Sequence, residues 1–251
     1  MRSEQVWLAL MIGNSRLHWA SFKGLTLQDT WDTGHLSQGE KADPNSLNSL
    51  DDNELETQPL VIASVVSEQT KLWQNDPNVH ILNLDEIPLN GLYPTLGIDR
   101  ALAVLGAGTR FGFPVLVIDA GTALTLTGCD RDRNLMGGAI LPGLNLQLLS
   151  LKQRTSALPL IELPENLPRR WAMDTPTAIQ SGVIYTILAG LRYFIVHWQR
   201  RFPDSKIVFT GGDRALLLNY FKSAFPELGE SIIETSYIIF WGMSEVFSRI
   251  N

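Results

Sequence analysis

Residues 6–19 read VWLALMIGNSRLHW, and residues 114–127 read PVLVIDAGTALTLT. Each segment is an apolar run, a turn that contains glycine and a second extended run, which is the pattern of strand, tight turn and strand. When the two segments are aligned, residues 11–15 correspond to residues 119–123. A duplication at about half the length of the chain favours two similar lobes whose glycine turns bind one ligand. Because strand–glycine–strand units are common, chance explains the alignment equally well at this point.

Apolar and helical patterns alternate along the rest of the chain. Residues 37–59 are polar and acidic, and they are predicted to form a surface loop with a short helix. Thr175 is predicted to be the N-cap of a long helix and Pro176 its first residue. Further strands are predicted at 60–66, 79–84, 115–118, 124–128 and 207–210. Helices are predicted at 99–110, 175–201, 214–221 and from 236. One more helix is predicted directly after residues 137–143, and it runs through Leu148 and Leu151.

The composition is that of an ordinary globular protein. The chain has 251 residues, is 45% hydrophobic and carries a net charge of −6. No run of Lys or Arg forms the basic stripe of a nucleic-acid binder, so neither DNA nor RNA is an expected partner. Cys129 is the single cysteine, which excludes an internal disulfide. The apolar run at residues 6–12 is too short for a membrane span and lacks a signal-peptide cleavage pattern, so we expect a cytoplasmic protein without a membrane partner.

The two glycine turns suit phosphate binding. A glycine directly after a buried strand allows a sharp turn and points consecutive backbone N–H groups at phosphate oxygens. Ser15 and Thr122 would add hydroxyl groups beside Gly13 and Gly121. Asp119, at the end of its strand, is a natural ligand for Mg²⁺ bound together with the phosphates. For either turn alone, an ordinary hairpin is the simpler interpretation.

A second cluster, Gly97-Ile98-Asp99-Arg100, lies where a helix is predicted to begin. Asp99 is either an ordinary N-cap or the base that accepts a substrate hydroxyl proton during phosphoryl transfer. Arg100 either binds a carboxylate through two hydrogen bonds or forms a surface ion pair, which is the commoner role. Residues 210–212, Thr-Gly-Gly, follow another strand and would let the backbone approach a nucleotide, although a diglycine turn alone is weak support.

Taken in order, these segments resemble the type III pantothenate kinases, a family of the actin-like and acetate and sugar kinase superfamily. The resemblance runs from about Trp7 to Met243. The stretches that carry it are GIDR at 97–100, DAGTA at 119–123, GGAILPG at 137–143, and then residues 151–159, 174–182 and 210–212. It implies an α/β fold of two duplicated ribonuclease-H-like lobes, residues 1–110 and 111–251, with mixed sheets flanked by helices. It also implies a homodimer built around the long helix.

The resemblance implies that the γ-phosphate of ATP is transferred to the primary hydroxyl of pantothenate, the first step towards coenzyme A. Asp99 then corresponds to the proton acceptor, and Asp119 to the residue that binds a monovalent cation, K⁺ or NH₄⁺, in a site that also uses Mg²⁺. The residues implied to bind pantothenate are Tyr93, Gly97, Ile98, Arg100 and, at the dimer interface, Thr175. The residues implied to contact ATP are Met11, Ile12, Gly13, Asn14, Ser15, Arg16, Leu17, His18, Thr122, Gly211 and Gly212.

Two positions depart from the pattern of that family. Its first phosphate motif begins with aspartate, and here that position holds Met11; a further aspartate of its second motif is replaced by Thr127. We still predict an active kinase, because the proton acceptor and the second turn are retained. One alternative is a non-catalytic relative with a regulatory or accessory binding role, which the missing carboxylate would suit. The other is a kinase for a different small hydroxy or carboxylate substrate, such as acetate or a sugar.

Overall fold

A computed structural model of the protein describes residues 5–37 and 58–250. The loop and short helix predicted for residues 37–59 therefore lie, apart from their ends, outside the described residues. The chain divides into two compact units, Met1–Gly106 with Ile238–Asn251 and Ala107–Tyr237. We call them unit 1 and unit 2, and each contains a five-stranded sheet.

The sheet of unit 1 is built on the strand–turn–strand pair predicted at residues 6–19. Its strands are β1 (Val6–Ile12), β2 (Leu17–Lys23), β3 (Thr26–Thr33), β4 (Leu60–Ser64) and β5 (Val79–Ile81). They lie in the order β3-β2-β1-β4-β5, with antiparallel β1–β2 and β2–β3 pairs and parallel β1–β4 and β4–β5 pairs. Every residue of β1 after Val6 is buried, as expected for a central strand that is covered on both faces.

The sheet of unit 2 repeats this topology strand for strand. Its strands are β6 (Val115–Ala120), β7 (Ala123–Cys129), β8 (Leu135–Pro142), β9 (Lys206–Thr210) and β10 (Ile232–Glu234). The order β10-β9-β6-β7-β8 is that of the first sheet taken from its other edge. The β6–β7 and β7–β8 pairs are antiparallel, and the β6–β9 and β9–β10 pairs are parallel. The predicted duplication is therefore confirmed, and a chance alignment is excluded.

Helices complete the regular structure of the described residues. They are α1 (Ser67–Thr70), α2 (Ile98–Phe111), α3 (Leu144–Arg154), α4 (Thr175–Arg201), α5 (Arg214–Ala224), α6 (Pro226–Gly229) and α7 (Ile238–Ile250), with short 3₁₀ helices at Lys71–Trp73 and Leu84–Glu86. Two elements differ from the prediction. The strand predicted to reach residue 84 ends at Ile81, because Asn83 and Glu86 form a capping box that starts a 3₁₀ helix. The residues expected to lead straight into α3 form instead the strand β8.

The C-terminal helix α7 belongs to unit 1, whereas the resemblance implied a second lobe of residues 111–251. Two glycines allow α7 and α2 to lie directly against each other, since a Cβ on either Gly106 or Gly242 would overlap backbone of the other helix. Phe247 of α7 also stacks on Trp7 of β1, with ring centroids 4.2 Å apart. The chain therefore returns to the first sheet at its end. No local pattern predicts such a contact between distant segments.

Helix α4 packs into the core of unit 2. Four apolar residues that recur at helical spacing, Ile179, Val183, Ile187 and Leu191, are buried there, whereas Phe194 remains 43% exposed. By length and composition α4 is long and apolar enough to cross a membrane. A long apolar helix whose buried face packs against its own sheet is nevertheless typical of the core of a globular protein.

The N-cap of α4 is Asp174, so the prediction of Thr175 at that position is wrong. The Asp174 carboxylate accepts a hydrogen bond of 2.9 Å from the backbone N–H of Thr177. This bond lowers the pKa of Asp174. Thr175 becomes the first helical residue and Pro176 the second. An aspartate caps at least as well as a threonine, and its charge also interacts favourably with the helix dipole.

Candidate active site

The turn between β6 and β7 in unit 2 is enclosed by two other glycine segments. The N–H of Gly121 closes the turn with a 3.2 Å hydrogen bond to the carbonyl two residues on. The N–H of Gly143 donates to the Thr122 carbonyl at 2.9 Å, and a Cβ on Gly143 would overlap the backbone of the turn. Gly211, with φ at +92°, lies so close to the Ala120 carbonyl that a Cβ would not fit there either. The backbone of this turn is therefore fixed from two sides.

Asp119 lies at the end of β6 beside these glycines. Its carboxylate is half-buried and occupies the space where a side chain on Gly211 would lie. The parallel β6–β9 register also pairs Asp119 with Thr210. Unit 2 thus brings together the residues predicted there for the nucleotide and the cation, namely Asp119, Thr122, Gly211 and Gly212.

Asp119 offers one carboxylate to a cation at this turn. Among residues 5–37 and 58–250, no group of three or more His, Cys, Asp or Glu side chains could hold a metal ion. Mg²⁺ keeps several waters and is commonly bound by one or two carboxylates together with substrate phosphates. A single aspartate therefore fits a Mg²⁺ ion that arrives with ATP better than a metal bound by protein side chains alone.

Asp213 and Asn145 lie beside the same turn, and neither was predicted from the sequence. The N–H of Asp213 donates to the Ala120 carbonyl at 2.8 Å, and the Asn145 side chain donates to the Asp213 carboxylate at 3.2 Å. The pKa of Asp213 is raised, because the effect of burial is larger than the opposing effect of the hydrogen bond from Asn145. The sequence did contain a signal for Asp213, because this carboxylate directly follows the Thr-Gly-Gly turn.

The turn between β1 and β2 in unit 1 occupies the equivalent position but is longer by one residue. The β1–β2 register pairs Ile12 with Leu17, and the corresponding pair in unit 2 is one residue closer in sequence. The Gly13 N–H donates to the carbonyl of Arg16 at 3.1 Å. A Cβ on Gly13 would meet nothing closer than 3.4 Å, an ordinary contact distance. Unlike Gly211, Gly13 is not required by the packing of its own turn.

Side chains of three neighbouring strands lie beside this first turn. Met11 is 3% exposed and pairs across the sheet with His18, which in turn pairs with Asp32 of β3. The Asp32 carboxylate contacts both His18 Nδ1, at 2.7 Å, and Arg16 Nη1, at 3.1 Å. The structure therefore places no carboxylate at position 11, but it places a carboxylate with two basic partners nearby.

The other residues of the predicted ATP-contacting segment 11–18 divide by burial. Ile12 and Leu17 are fully buried in the core of unit 1, so only their backbone could contact a nucleotide. Asn14 and Ser15 are exposed at the turn. Polar contacts from this segment would therefore come from residues 13–16 and His18.

A cleft of about 930 Å³ lies in unit 1 beside the predicted substrate segment. Tyr93, Gly97 and Ile98 line it, as do the hydroxyl-bearing residues Ser64 and Thr70. A cleft of this size, lined by both polar and apolar groups, is large enough for a small polar organic ligand. Three of the four residues of unit 1 that were predicted to bind pantothenate, Tyr93, Gly97 and Ile98, therefore line one cavity.

Asp99 lies in the first turn of α2, directly after Ile98. Gly97 precedes the helix and its carbonyl accepts the first helical hydrogen bonds, so the N-cap interpretation of Asp99 is wrong. Burial raises the pKa of the Asp99 carboxyl, whereas the backbone N–H and the positive charge of Arg100 lower it. A Cβ on Gly97 would overlap Asp99 Oδ1, so glycine leaves the space that this carboxylate occupies.

Arg100 is only 8% exposed, which excludes the surface ion pair considered from the sequence. Its Nη1 donates to the hydroxyl oxygen of Tyr93 at 3.0 Å. Because Tyr93 lines the cleft, this bond links a buried guanidinium to the cavity wall. Such a buried cation suits recognition of a negatively charged ligand.

Thr175 is exposed at the start of α4 in unit 2. Two large apolar side chains just before it are also exposed, Trp171 at 88% and Met173 at 98%. The implied role of Thr175 in binding substrate across a dimer interface stays a prediction.

Two ribonuclease-H-like units with matching strand order, each with a glycine turn after its first strand, define the actin-like superfamily. Known structures agree with this class. A protein of Campylobacter jejuni assigned to the Baf family of transcriptional activators superposes with a TM-score of 0.64 at 21% identity, over 97% of this chain and 98% of that one. The activator of 2-hydroxyisocaproyl-CoA dehydratase from Clostridium difficile, solved with bound ADPNP, superposes with a TM-score of 0.53 at 10% identity, over 98% and 95%. Identities this low show the fold alone, and they confirm the predicted fold class.

Sequence relatives define the family within that class. A family model for type III pantothenate kinases matches residues 7–197. A relative from Nostoc sp. (strain PCC 7120), named Type III pantothenate kinase, is 50% identical over 98% of this chain and 96% of its own length. The chain therefore belongs to the type III pantothenate kinase family, as the ordered motifs indicated.

Proposed function

We propose that this chain transfers the γ-phosphate of ATP to the primary hydroxyl of pantothenate, with Asp99 as the proton acceptor. Membership of the type III pantothenate kinase family supports pantothenate as the substrate and ATP as the phosphate donor. The observation that carries the assignment of Asp99 is its place in the first turn of α2, next to the cleft lined by Gly97 and Ile98, with Arg100 buried beside it. The product would be 4′-phosphopantothenate.

In this proposal unit 1 binds pantothenate and removes the proton of its primary hydroxyl group. Asp99 accepts the hydroxyl proton as the phosphoryl group is transferred, and a carboxylate suffices because the transition state is largely dissociative. Its raised pKa makes Asp99 a stronger base than an ordinary aspartate. Arg100, held by Tyr93, would attract the carboxylate of pantothenate, and Thr175 would reach the substrate from a partner subunit.

Unit 2 would bind the phosphates of ATP and the cations. Backbone N–H groups at the Asp119–Thr122 turn and at Gly211 and Gly212 suit phosphate oxygens. The Asp119 carboxylate would hold Mg²⁺ or the monovalent cation, K⁺ or NH₄⁺, close to these phosphates. Bound Mg²⁺ would supply a positive charge that stabilises the transferring phosphoryl group.

A coupled assay of ADP release tests the proposal. Pantothenate should stimulate ADP release in the presence of Mg²⁺ and K⁺, whereas acetate and sugars should not. Because Asp99 acts when it is deprotonated, the rate should fall as the pH decreases through its raised pKa, so the acid limb should lie above the ordinary aspartate value of about 3.9. Absence of pantothenate-dependent turnover across Mg²⁺ and K⁺ concentrations would support the non-catalytic alternative instead.

We also propose that the chain acts as a homodimer in the cytoplasm. Most of the apolar face of α4 is buried within unit 2, so the support for a dimer comes from other residues. Large apolar side chains remain exposed around and along α4, namely Trp171, Met173, Tyr193 and Phe194. Exposed apolar patches of this kind commonly mark an interface. Light scattering that shows a stable monomer at assay concentration would contradict the dimer and the shared role of Thr175.

A further inference from the structure

The first turn has the opposite chemistry from a metal-binding turn. Met11 is apolar and buried, and basic residues lie at the turn: Arg16 belongs to it, and the rings of His18 and His35 approach Gly13. His35 Nε2 lies 2.8 Å from the Gly13 carbonyl oxygen. A carboxylate at such a turn repels phosphate and requires a metal ion between the two. An arginine binds phosphate oxygens directly through charge-assisted hydrogen bonds, and a histidine donates to them from a ring nitrogen that carries a proton.

Asp32 fixes the orientation of two of these basic groups. Its two carboxylate oxygens are used separately, Oδ1 by His18 Nδ1 and Oδ2 by Arg16 Nη1. The β2–β3 register pairs Asp32 with His18, so the sheet sets the position of the carboxylate. With Nδ1 directed at Asp32, the other ring nitrogen of His18 faces the turn, 3.5 Å from where a Cβ on Gly13 would lie.

The exposure of this cluster suits ligand binding better than structural support. The side chains of Arg16, His18 and Asp32 are 57%, 41% and 46% exposed. Ion pairs at such exposures contribute little to stability, about 0–1 kcal/mol. The polar edges of Arg16 and His18 therefore remain accessible to a ligand at the turn.

We infer that Asp32 is a positioning residue that holds Arg16 and His18 beside the Gly13 turn, so that Arg16, and His18 when both of its ring nitrogens carry a proton, bind an ATP phosphate directly, without a metal bound at position 11. The inference rests on the proposed function, because it takes ATP as the ligand of this turn. It assigns direct contacts from basic side chains, rather than a metal ion, to the first turn.

The test compares Asp32→Asn with Asp29→Asn, a matched control. Asp29 is on the same strand, and its carboxylate accepts a hydrogen bond from the backbone N–H of Thr30. Both variants lose one negative charge from β3, but Asp29 pairs with Ser21 and lies three residues further from the turn than Asp32. If the Asp32 carboxylate acted only by repelling phosphate, its loss would tighten ATP binding. If Asp32 positions its partners, Asp32→Asn should raise the dissociation constant of a non-hydrolysable ATP analogue about three- to tenfold. Asp29→Asn should leave it unchanged.

Steady-state kinetics give a second test, because a merely structural role of Asp32 would not change the KM for ATP selectively. Asp32→Asn should raise the KM for ATP by a similar factor and leave kcat and the KM for pantothenate within about twofold, while Asp32→Glu should restore part of the affinity. Arg16→Gln should weaken binding of inorganic tripolyphosphate in buffer with EDTA, where no Mg²⁺ contributes. Unchanged affinities in both Asp32→Asn and Arg16→Gln would overturn the inference. Because analogue binding is measured without pantothenate, a failure of the proposed function would appear separately, as missing turnover in the unaltered protein.

Discussion

The two glycine turns hold equivalent positions in duplicated sheets, yet they are built in different ways. In unit 2, Asp119 ends the strand and Gly143 and Gly211 pack against the turn so closely that no side chain fits at either position. In unit 1, Met11 stands at the equivalent position, and a Cβ on Gly13 would make only ordinary contacts. The two units share strand order and strand direction, whereas the length of the turn and the side chains beside it differ. A turn with a carboxylate suits a cation, and a turn with basic neighbours suits phosphate.

The largest effect should come from a residue that belongs to neither turn. Asp99→Asn keeps the shape of the side chain and removes the proton acceptor, so kcat should fall about 10²–10⁴-fold. Circular dichroism and binding of the ATP analogue should remain unchanged. A rate near that of the unaltered protein would remove Asp99 from the mechanism and leave the two turns as the source of catalysis.

Loss of the Asp119 carboxylate, which distinguishes the second turn from the first, should have the next largest effect on activity. Loss of a residue that only supports a metal ligand typically reduces activity 10–100-fold, so Asp119→Asn, which removes the ligand itself, should reduce kcat by about 10²-fold or more. Met11→Leu, the matched change at the equivalent position of unit 1, should have almost no effect. A Mg²⁺ titration of pantothenate phosphorylation separates the two variants. If Asp119→Asn keeps most of its activity, the metal lies elsewhere and the contrast between the turns is wrong.

Much of this architecture could be predicted because its signals are local. The buried strands, the glycine turns and the long helix each leave a pattern within a few residues, and the ordered motifs identified the family. Strand β8 was missed because Gly137, Gly138 and Pro142 obscure its alternation, and an edge strand tolerates such residues. The packing of α7 on unit 1 was missed because its partners lie more than a hundred residues away in the chain.

The same distinction separates the site residues that were predicted from those that were not. Asp99, Asp119 and the glycines stand in recognisable motifs. Asp32 belongs to no recognisable motif, and only the cross-strand register places it beside His18. Asp213 follows a recognised turn, but its contact with Asn145 depends on the folding of distant segments of unit 2.

The two glycines should respond differently to substitution by alanine. Gly211→Ala forces a Cβ into the Ala120 carbonyl at a φ of +92°, so the free energy of unfolding should fall by about 2–4 kcal/mol. Gly13→Ala should change it by less than about 0.5 kcal/mol, because the nearest atoms lie at ordinary contact distance. Denaturant unfolding measures both values. Gly13→Ala should still raise the KM for ATP, since a methyl group would obstruct phosphate at the turn. A stable Gly13→Ala variant with an unchanged KM would show that this turn is only a hairpin.

The smallest effect should follow from restoring the missing carboxylate. Met11→Asp places a charge where the side chain is 3% exposed and directly across from His18. Burial of this charge and lost packing should lower the free energy of unfolding by about 1–3 kcal/mol. A second carboxylate near the phosphates should also lower the Mg²⁺ concentration for half-maximal rate about two- to fivefold, since Mg²⁺ commonly takes one or two carboxylates.

Met11→Asn is the matched control for this change, because it has nearly the same shape and the same packing loss without the charge. It should be destabilised to a similar extent and show the Mg²⁺ dependence of the unaltered protein. The maximal rate of Met11→Asp should not increase, because Arg16 and His18 already occupy the side of the turn that faces phosphate. Identical Mg²⁺ titrations for the aspartate and asparagine variants would mean that no metal-bound phosphate lies near position 11, and the first turn would then have to bind ATP without help from any metal.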